Sequence, residues 1–312
     1  MNVKIPELLA PAGSPEGVRA AVQSGAGAVY MGFGTFNARR NAQGFSHEEM
    51  ADAIAYCRAR DVKTNITLNI LAGDRELEDA LEDAKFLYEA GADALIVQDL
   101  GLARLIHAHA PDFALHASTQ MTIHTPEGAL WAKEHGISRV VVSRELSRKE
   151  IAAICKTGIE VETFVHGALC MSVSGQCGLS AMIGSRSANR GRCAQACRLP
   201  FSAKGDKNGC ALSLKDLCLV PYVAELAEDG VASLKIEGRC KRPEYVAAAV
   251  TALVQARAGE TPDLDTLRAV FSRSGFTDGY YTGKRQQMFG TRQKDDVLQG
   301  QKVLPQLAQL YQ

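Results

Sequence analysis

The chain has 312 residues, 46% of them hydrophobic and 22% charged, with 35 Lys and Arg against 35 Asp and Glu for a net charge of zero. That balance describes an ordinary globular protein of one large α/β barrel or two smaller units, and it excludes a fibrous chain or a global field that draws in nucleic acid. No stretch approaches the roughly 18 apolar residues of a membrane span, and MNVKIPELLAPAGS holds no signal-peptide core, so a cytoplasmic protein with reduced thiols and no membrane partner is expected.

From the N-terminus onward, short apolar runs alternate with amphipathic ones. Strands are expected at 7–10, 28–31, 63–70, 93–98, 113–117, 139–143, 160–165 and 232–236, each with the Val, Ile and Leu content of a buried parallel strand. The helices between them begin with SPEGVRAAVQSG, where Ser14 reads as the cap and Glu16 as the first-turn acid. HEEMADAIAYCRARD, LEDALEDAKFLYEAG, LGLARLIHAHA, TPEGALWAKEHG, SRKEIAAICKTG and SLKDLCLVPYVAELAEDG follow. QSGAGAV, YEAGADAL, KEHGISRV and AEDGVASL repeat one junction, a glycine-stopped helix feeding a strand. Eight such units predict an α/β fold, a (β/α)8 TIM-like barrel over 1–258, with a long cysteine-rich loop (166–210) after strand 7. A small C-terminal extension over 259–312 ends in a helix from residue 294. A doubly wound sheet fits less well, because the first turn, PAGSPEG, is not a GxGxxG phosphate loop.

The loop after strand 7 carries Cys170, Cys177, Cys193 and Cys197, with six, fifteen and three residues between them. Four thiolates select zinc or an iron–sulfur cluster. Only Cys193 and Cys197 are spaced like half of a zinc knuckle, so the spacing favours a cluster, with zinc the alternative and four unrelated loop thiols the plainest reading. Cys57 and Cys155 read as inert helix-face thiols, while Cys210, Cys218 and Cys240 are near enough in sequence to compete as a fourth ligand.

A barrel directs the ends of its strands toward one mouth. Asn69, His116, Gln120 and His166 stand at such ends, where a satisfied hydrogen-bonding group is as good a reading as a functional one. Lys235, Glu237 and Arg239 make a sharper pattern, since charged groups there need partners or a ligand. Arg186, Arg190 and Arg192 in an acid-free stretch, together with Lys241, form a local basic collar suited to RNA phosphates; a solvated face is the simpler reading of each run alone. A peptidase would need a nucleophile and base such as Cys170 with His166, yet no GxSxG elbow or HExxH helix is present.

ETFVHGALCMSVSGQCGLS at 162–180, with ELLAPAGS, LHASTQM, NRGRCAQACR, SLKDLC and SLKIEGR in order, resembles the U32 peptidase family of collagenase-like proteins from about residue 5 to 290. Within it the chain looks closest to the bacterial branch that hydroxylates RNA bases without molecular oxygen, giving 5-hydroxycytidine in 23S rRNA or 5-hydroxyuridine in tRNA. The resemblance implies a [4Fe–4S] cluster on Cys170, Cys177 and Cys193, with Cys197 as fourth ligand in some branches. It also implies an rRNA or tRNA partner and a small-molecule hydroxyl donor such as prephenate; from their position at the strand ends, Lys235, Glu237, Arg239 and His116 are the expected catalytic or donor-binding groups. Proteolysis is the alternative activity, and a non-catalytic zinc module a further one. Either a homo- or a hetero-oligomer is compatible with the composition. Many members of that branch continue for several hundred residues more, which leaves the choice of RNA open.

Overall fold

The computed structural model describes residues 5–38, 44–204, 209–291 and 295–311. Its first half is a regular alternation: β1 (Glu7–Pro11), α1 (Pro15–Gln23), β2 (Ala28–Gly32), α2 (His47–Arg58), β3 (Lys63–Leu68), α3 (Leu77–Ala90), β4 (Ala94–Val97) and α4 (Leu100–His109). The alternation continues through β5 (Ala114–Ala117), α5 (Pro126–Glu134), β6 (Ile137–Val141), α6 (Arg148–Cys155) and β7 (Glu160–Gly167). Then come α7 (Leu179–Gly184), β8 (Asp216–Cys218), α8 (Val223–Glu228), β9 (Ser233–Ile236) and α9 (Pro243–Arg257). The C-terminal part adds α10 (Leu264–Val270), β10 (Phe276–Thr277), α11 (Gly279–Thr282) and α12 (Asp295–Ala308).

Local sequence explains the starts. Ser14 caps α1 by accepting from the Gly17 amide, and Ser46 and Glu49 form a reciprocal capping box on α2. Strands β1 to β7 pair in parallel with their neighbours, and β9 pairs in parallel with both β7 and β1, closing an eight-stranded barrel. The predicted TIM-like α/β barrel is the fold observed. One expected element differs: SLKDLCLVPYVAELAEDG is not a single helix. Asp216–Cys218 instead forms β8, antiparallel on the end of β7, and only Val223–Glu228 is α-helical. The fully buried Asp216 carboxylate accepts from the Arg273 backbone amide at 2.7 Å and from its Nε at 2.9 Å, which draws this segment toward β10 rather than into a helix. Residues 273–290 thereby return against the segment that follows the cysteine loop, the Lys215 amide donating to the Met288 carbonyl and the Gly290 amide to that of Ser213. The terminal helix expected from residue 294 begins at Asp295; Lys294 and Gln312 lie outside the described residues.

Strand register places side chains in or out of the barrel. Residues paired side by side point the same way, so the chain of partners Tyr30–Asn65–Ala94–Ala114 and Ile96–His116–Arg139–Glu160 faces the lumen, as do Glu162–Ser233–Glu7 and Phe164–Lys235–Leu9. With the stagger of a closed barrel these form layers drawn from alternate strands. Leu9, Asn65, His116 and Glu162 make the middle layer. Tyr30, Ile96, Val141 and Lys235 lie above it, toward the C-terminal ends, and Ala28, Ala94, Arg139 and Ser233 lie below. Barrel layers are ordinarily filled by branched aliphatics. Here the lumen is largely polar, and the main apolar core lies outside it, between strands and helices, with Leu9, Ala28, Tyr30 and Ile96 forming a separate small cluster within.

Candidate active site

The C-terminal ends of the strands and the loop 168–198 enclose a cavity of about 490 Å3. Its floor is built from Tyr30, Thr67, Phe164, Lys235 and Arg239, and its roof from the loop that carries Cys170, Cys177, Cys193 and Cys197, all of which line it. The sequence therefore brings the four thiols to one space at the barrel mouth.

The roof is pinned at several points. Gln176 Nε2 donates to the Gln120 carbonyl at 3.1 Å, and Asn189 Nδ2 donates to Gln98 Oε1 at 2.8 Å. Arg198 Nη2 donates to the Leu169 carbonyl at 2.7 Å and Nη1 to that of Leu214. Beneath these, Gln120 bonds the Asn69 carbonyl and Gln98, and Asn69 bonds Ser118. Asn69 and Gln120, read as strand-end candidates, are thus members of a satisfied amide network that supports the loop.

On the floor, Lys235 Nζ sits 2.6 Å from Glu162 Oε1 and 4.4 Å from the centre of the Tyr30 ring. Glu237 pairs with Arg144 at 2.7 Å, and Arg144 also donates to Ser174 of the roof and stacks 3.9 Å over Phe164. Arg239 donates to Thr67 Oγ1. Lys241 stands 3.5 Å over the Phe271 ring, and burial, reinforced by Arg273, pushes its ammonium pKa down to about 8. Arg144, Arg198, Lys235, Arg239, Lys241 and Arg273 line the cavity against Glu237 as the lining acid. Arg144 was not picked out from sequence; a charge directly after the strand RVVVS was the available signal.

Several expected residues lie elsewhere. His116 does not line the cavity but is buried in the lumen, where burial and Arg139 push its pKa down to about 3. A strand-end position had suggested the mouth, but β5 starts late and His116 falls one layer below the floor. His166 points outward from the barrel wall, between Tyr245 and Phe276 at ring distances of 5.8 and 5.2 Å, and burial takes its pKa down to about 4. The Cys170–His166 pairing that a peptidase would need is not assembled, and burial raises the Cys170 thiol pKa where a nucleophile needs it lowered. Arg190 is not free for phosphate: it grips Glu76 through two bonds of 2.7 and 2.6 Å and reaches the Leu71 carbonyl. Arg186 and Arg192 are exposed on the loop. Cys240 lines the cavity, whereas Cys210 and Cys218 do not.

Both buried histidines fold in their neutral form, so their stabilising contribution is complete above their ordinary pKa near 6.5 and is lost as pH falls. Each is expected to lower stability by about 1.4 kcal/mol per pH unit below that point until its folded pKa is reached. Chemical denaturation at pH 7 and pH 5 measures this, and His166→Phe should remove one proton's worth of the slope.

The donor set bears on what the cavity can hold. All four candidate donors of the loop are sulfur; Cys177 Sγ accepts from the Leu179 amide at 3.4 Å and Cys193 Sγ from the Gln195 amide at 3.3 Å. Cys193 and Cys197 both add to the upward shift of Cys170 after burial, which places these sulfurs within electrostatic reach of one another. Among the described residues no group of three or more His, Cys, Asp and Glu is spaced to hold a metal ion. Four sulfur donors lining one cavity match the donor chemistry of zinc or of an iron–sulfur cluster.

The sequence profile of Peptidase family U32 matches residues 13–289. The chain belongs to that family. As a U32 protein it is 42% identical over 247 residues to the 23S rRNA 5-hydroxycytidine synthase of Escherichia coli, an alignment covering 77% of this chain and 37% of the relative. It is 38% identical over 262 residues to a tRNA hydroxylation protein of Bacillus subtilis, covering 80% and 62%. A protein named collagenase from Porphyromonas gingivalis is 34% identical over 316 residues, covering 91% and 75%. A solved U32 peptidase superposes with a TM-score of 0.52 at 13% identity over 75% of this chain and 93% of that one, which supports the fold alone. The chain thus spans 37% of the length of the first relative and 62% of the second. Among the described residues no helix is long and apolar enough to cross a membrane.

Proposed function

We propose that this U32 chain takes part in oxygen-independent hydroxylation of an RNA base, with a [4Fe–4S] cluster held by Cys170, Cys177, Cys193 and Cys197. The observation that carries the reading is that the four thiols line one cavity whose floor is ringed by cations. A bound cluster would supply one-electron chemistry at that cavity.

The chain's own residues would do the rest. Lys235, held charged by Glu162, and Arg239, fixed on Thr67, offer positive charge to a small anionic hydroxyl donor of the kind prephenate represents. Arg144 and Glu237 tie the roof to the floor and keep the mouth's dimensions fixed. Tyr30 and Phe164 provide ring surfaces on which a planar base or ring can rest. A base buried in a stem has to be extruded to reach this depth, while its phosphates stay at the rim, near exposed Arg186 and Arg192.

Mass spectrometry of rRNA and tRNA nucleosides from a deletion strain tests the reading, with loss of a 5-hydroxypyrimidine expected; unchanged hydroxylated nucleosides would sink it. Within it, Arg186→Ala and Arg192→Ala should each weaken RNA binding and reduce the salt slope by about 0.7–0.9 in log–log units. Arg190→Ala should leave that slope alone and lower the thermal midpoint, because its charge is spent on Glu76. Filter binding across a salt series separates the two behaviours.

A further inference from the structure

The lumen below the cavity carries a feature that the chemistry at the mouth does not use. The layer of Ala28, Ala94, Arg139 and Ser233 sets one long side chain, Arg139, beside two methyl groups and a hydroxymethyl, where barrels ordinarily place branched side chains. Three polar atoms of lumen-facing residues lack a protein hydrogen-bond partner: His116 Nδ1, Asn65 Nδ2 and Ser233 Oγ. Their residues are 6%, 2% and 0% exposed. Buried polar atoms of native proteins are satisfied by protein or by ordered water.

Charge decides what fits. Glu7, Glu160 and Glu162 are answered by Lys63, Arg139 and Lys235 through ion pairs of 2.6 to 3.6 Å, and His116 is neutral. No net charge remains for an ion, so the matching ligand is neutral and both donates and accepts. Upward, Tyr30, Ile96, Val141 and the stem of Lys235 separate this space from the cavity, with the Tyr30 hydroxyl fixed on the Ile236 carbonyl at 2.8 Å. Downward, at the N-terminal rim, the side chains of Lys63 and Glu160 are 61% and 46% exposed, and those of Glu7 and Arg139 15% and 7%.

We propose that the lower lumen binds a chain of water molecules that enters at the N-terminal face, satisfies His116, Asn65 and Ser233, and carries protons to the Glu162–Lys235 pair beneath the cavity. A proton given up by the Lys235 ammonium to a ligand above is replaced through Glu162 from lumen water, and bulk solvent at the Glu160 rim restores that water. The site proposed at the mouth is thereby supplied from the face of the barrel opposite its entrance.

The test does not depend on RNA hydroxylation. In protein labelled with 15N-histidine, the exchange rate of the His116 ring N–H with solvent is expected to be fast and insensitive to mild denaturant, because no unfolding is needed. Ala94→Leu, which fills the space, should slow that exchange by at least about tenfold, while Ala94→Ser should leave it fast. Exchange in the wild type that is as slow as the most protected backbone amides would overturn the proposal, as would an Ala94→Leu protein that exchanges like the wild type. Should Ala94→Leu fail to fold, a crystal structure of the wild type decides: waters bonded to all three atoms support the chain, and a dry lumen overturns it.

Discussion

Cys193→Ser protein, reconstituted anaerobically with iron and sulfide, is expected to lose most of its bound iron and its visible chromophore, while Cys240→Ser keeps both. The contrast is informative because both thiols line the same cavity. Cys193 lies in the cysteine loop, with its sulfur accepting from the Gln195 amide and lying 4.0 Å from Ser180 Oγ. Cys240 follows β9, on the floor side, next to Lys241. Losing only an outer partner of a metal ligand typically costs about 10–100-fold in affinity, so losing a ligand itself should exceed that range. Cys170→Ser and Cys197→Ser should behave as Cys193→Ser does. Equal iron content in Cys193→Ser and wild type would remove the cluster from the proposed function. Loss of iron in Cys240→Ser together with its retention in Cys197→Ser would reassign the fourth ligand to the floor.

The barrel was legible because its repeat is local: each helix stops at glycine and each strand is a short apolar run. The four cysteines stood out as one group because they share one loop, and all four line the cavity. What the sequence concealed was the lumen. EVETFV and KTNITLNI alternate polar with apolar residues, and period-two alternation ordinarily marks a strand half exposed to water. In a closed barrel the polar side faces inward, so Glu162 and Asn65 enter the lumen although their strands are buried on both faces. Alternation identified the two faces but not which one met solvent, because that depends on closure. The same uncertainty displaced His116, whose depth depends on barrel stagger rather than on its neighbours in LHASTQM. Arg190 misled for another reason. A cation in an acid-free run reads as available, yet its partner Glu76 lies 114 residues away and only the fold brings them together.

Glu162→Gln should be among the most destabilising single changes in this protein, at about 3–5 kcal/mol, because it breaks a buried ion pair from one side. Glu162 is 0% exposed and bonds Lys235 at 2.6 Å and Arg139 at 3.3 Å. Burial alone would raise its carboxyl pKa, but Lys235 and Arg139 overcome burial and hold it below the usual carboxylate range. Such a group stabilises fully above its unfolded pKa and loses that contribution as pH falls through the folded value, so the wild type weakens in acid and Glu162→Gln should weaken less steeply. The two cations do not suffer equally. Arg139 retains Glu7 at 2.6 Å and Glu160 at 2.8 Å. Lys235 is left with burial and Arg239, which favour its neutral amine, against the rings of Tyr30 and Phe164, which favour its charge. Most of the loss therefore belongs to Lys235, and Glu162→Gln combined with Lys235→Met should recover a large part of it. A double-mutant cycle in urea gives the coupling directly. Additive losses would mean that Glu162 is held chiefly by Arg139, and that the charge presented to the cavity floor by Lys235 does not depend on the carboxylate beneath it.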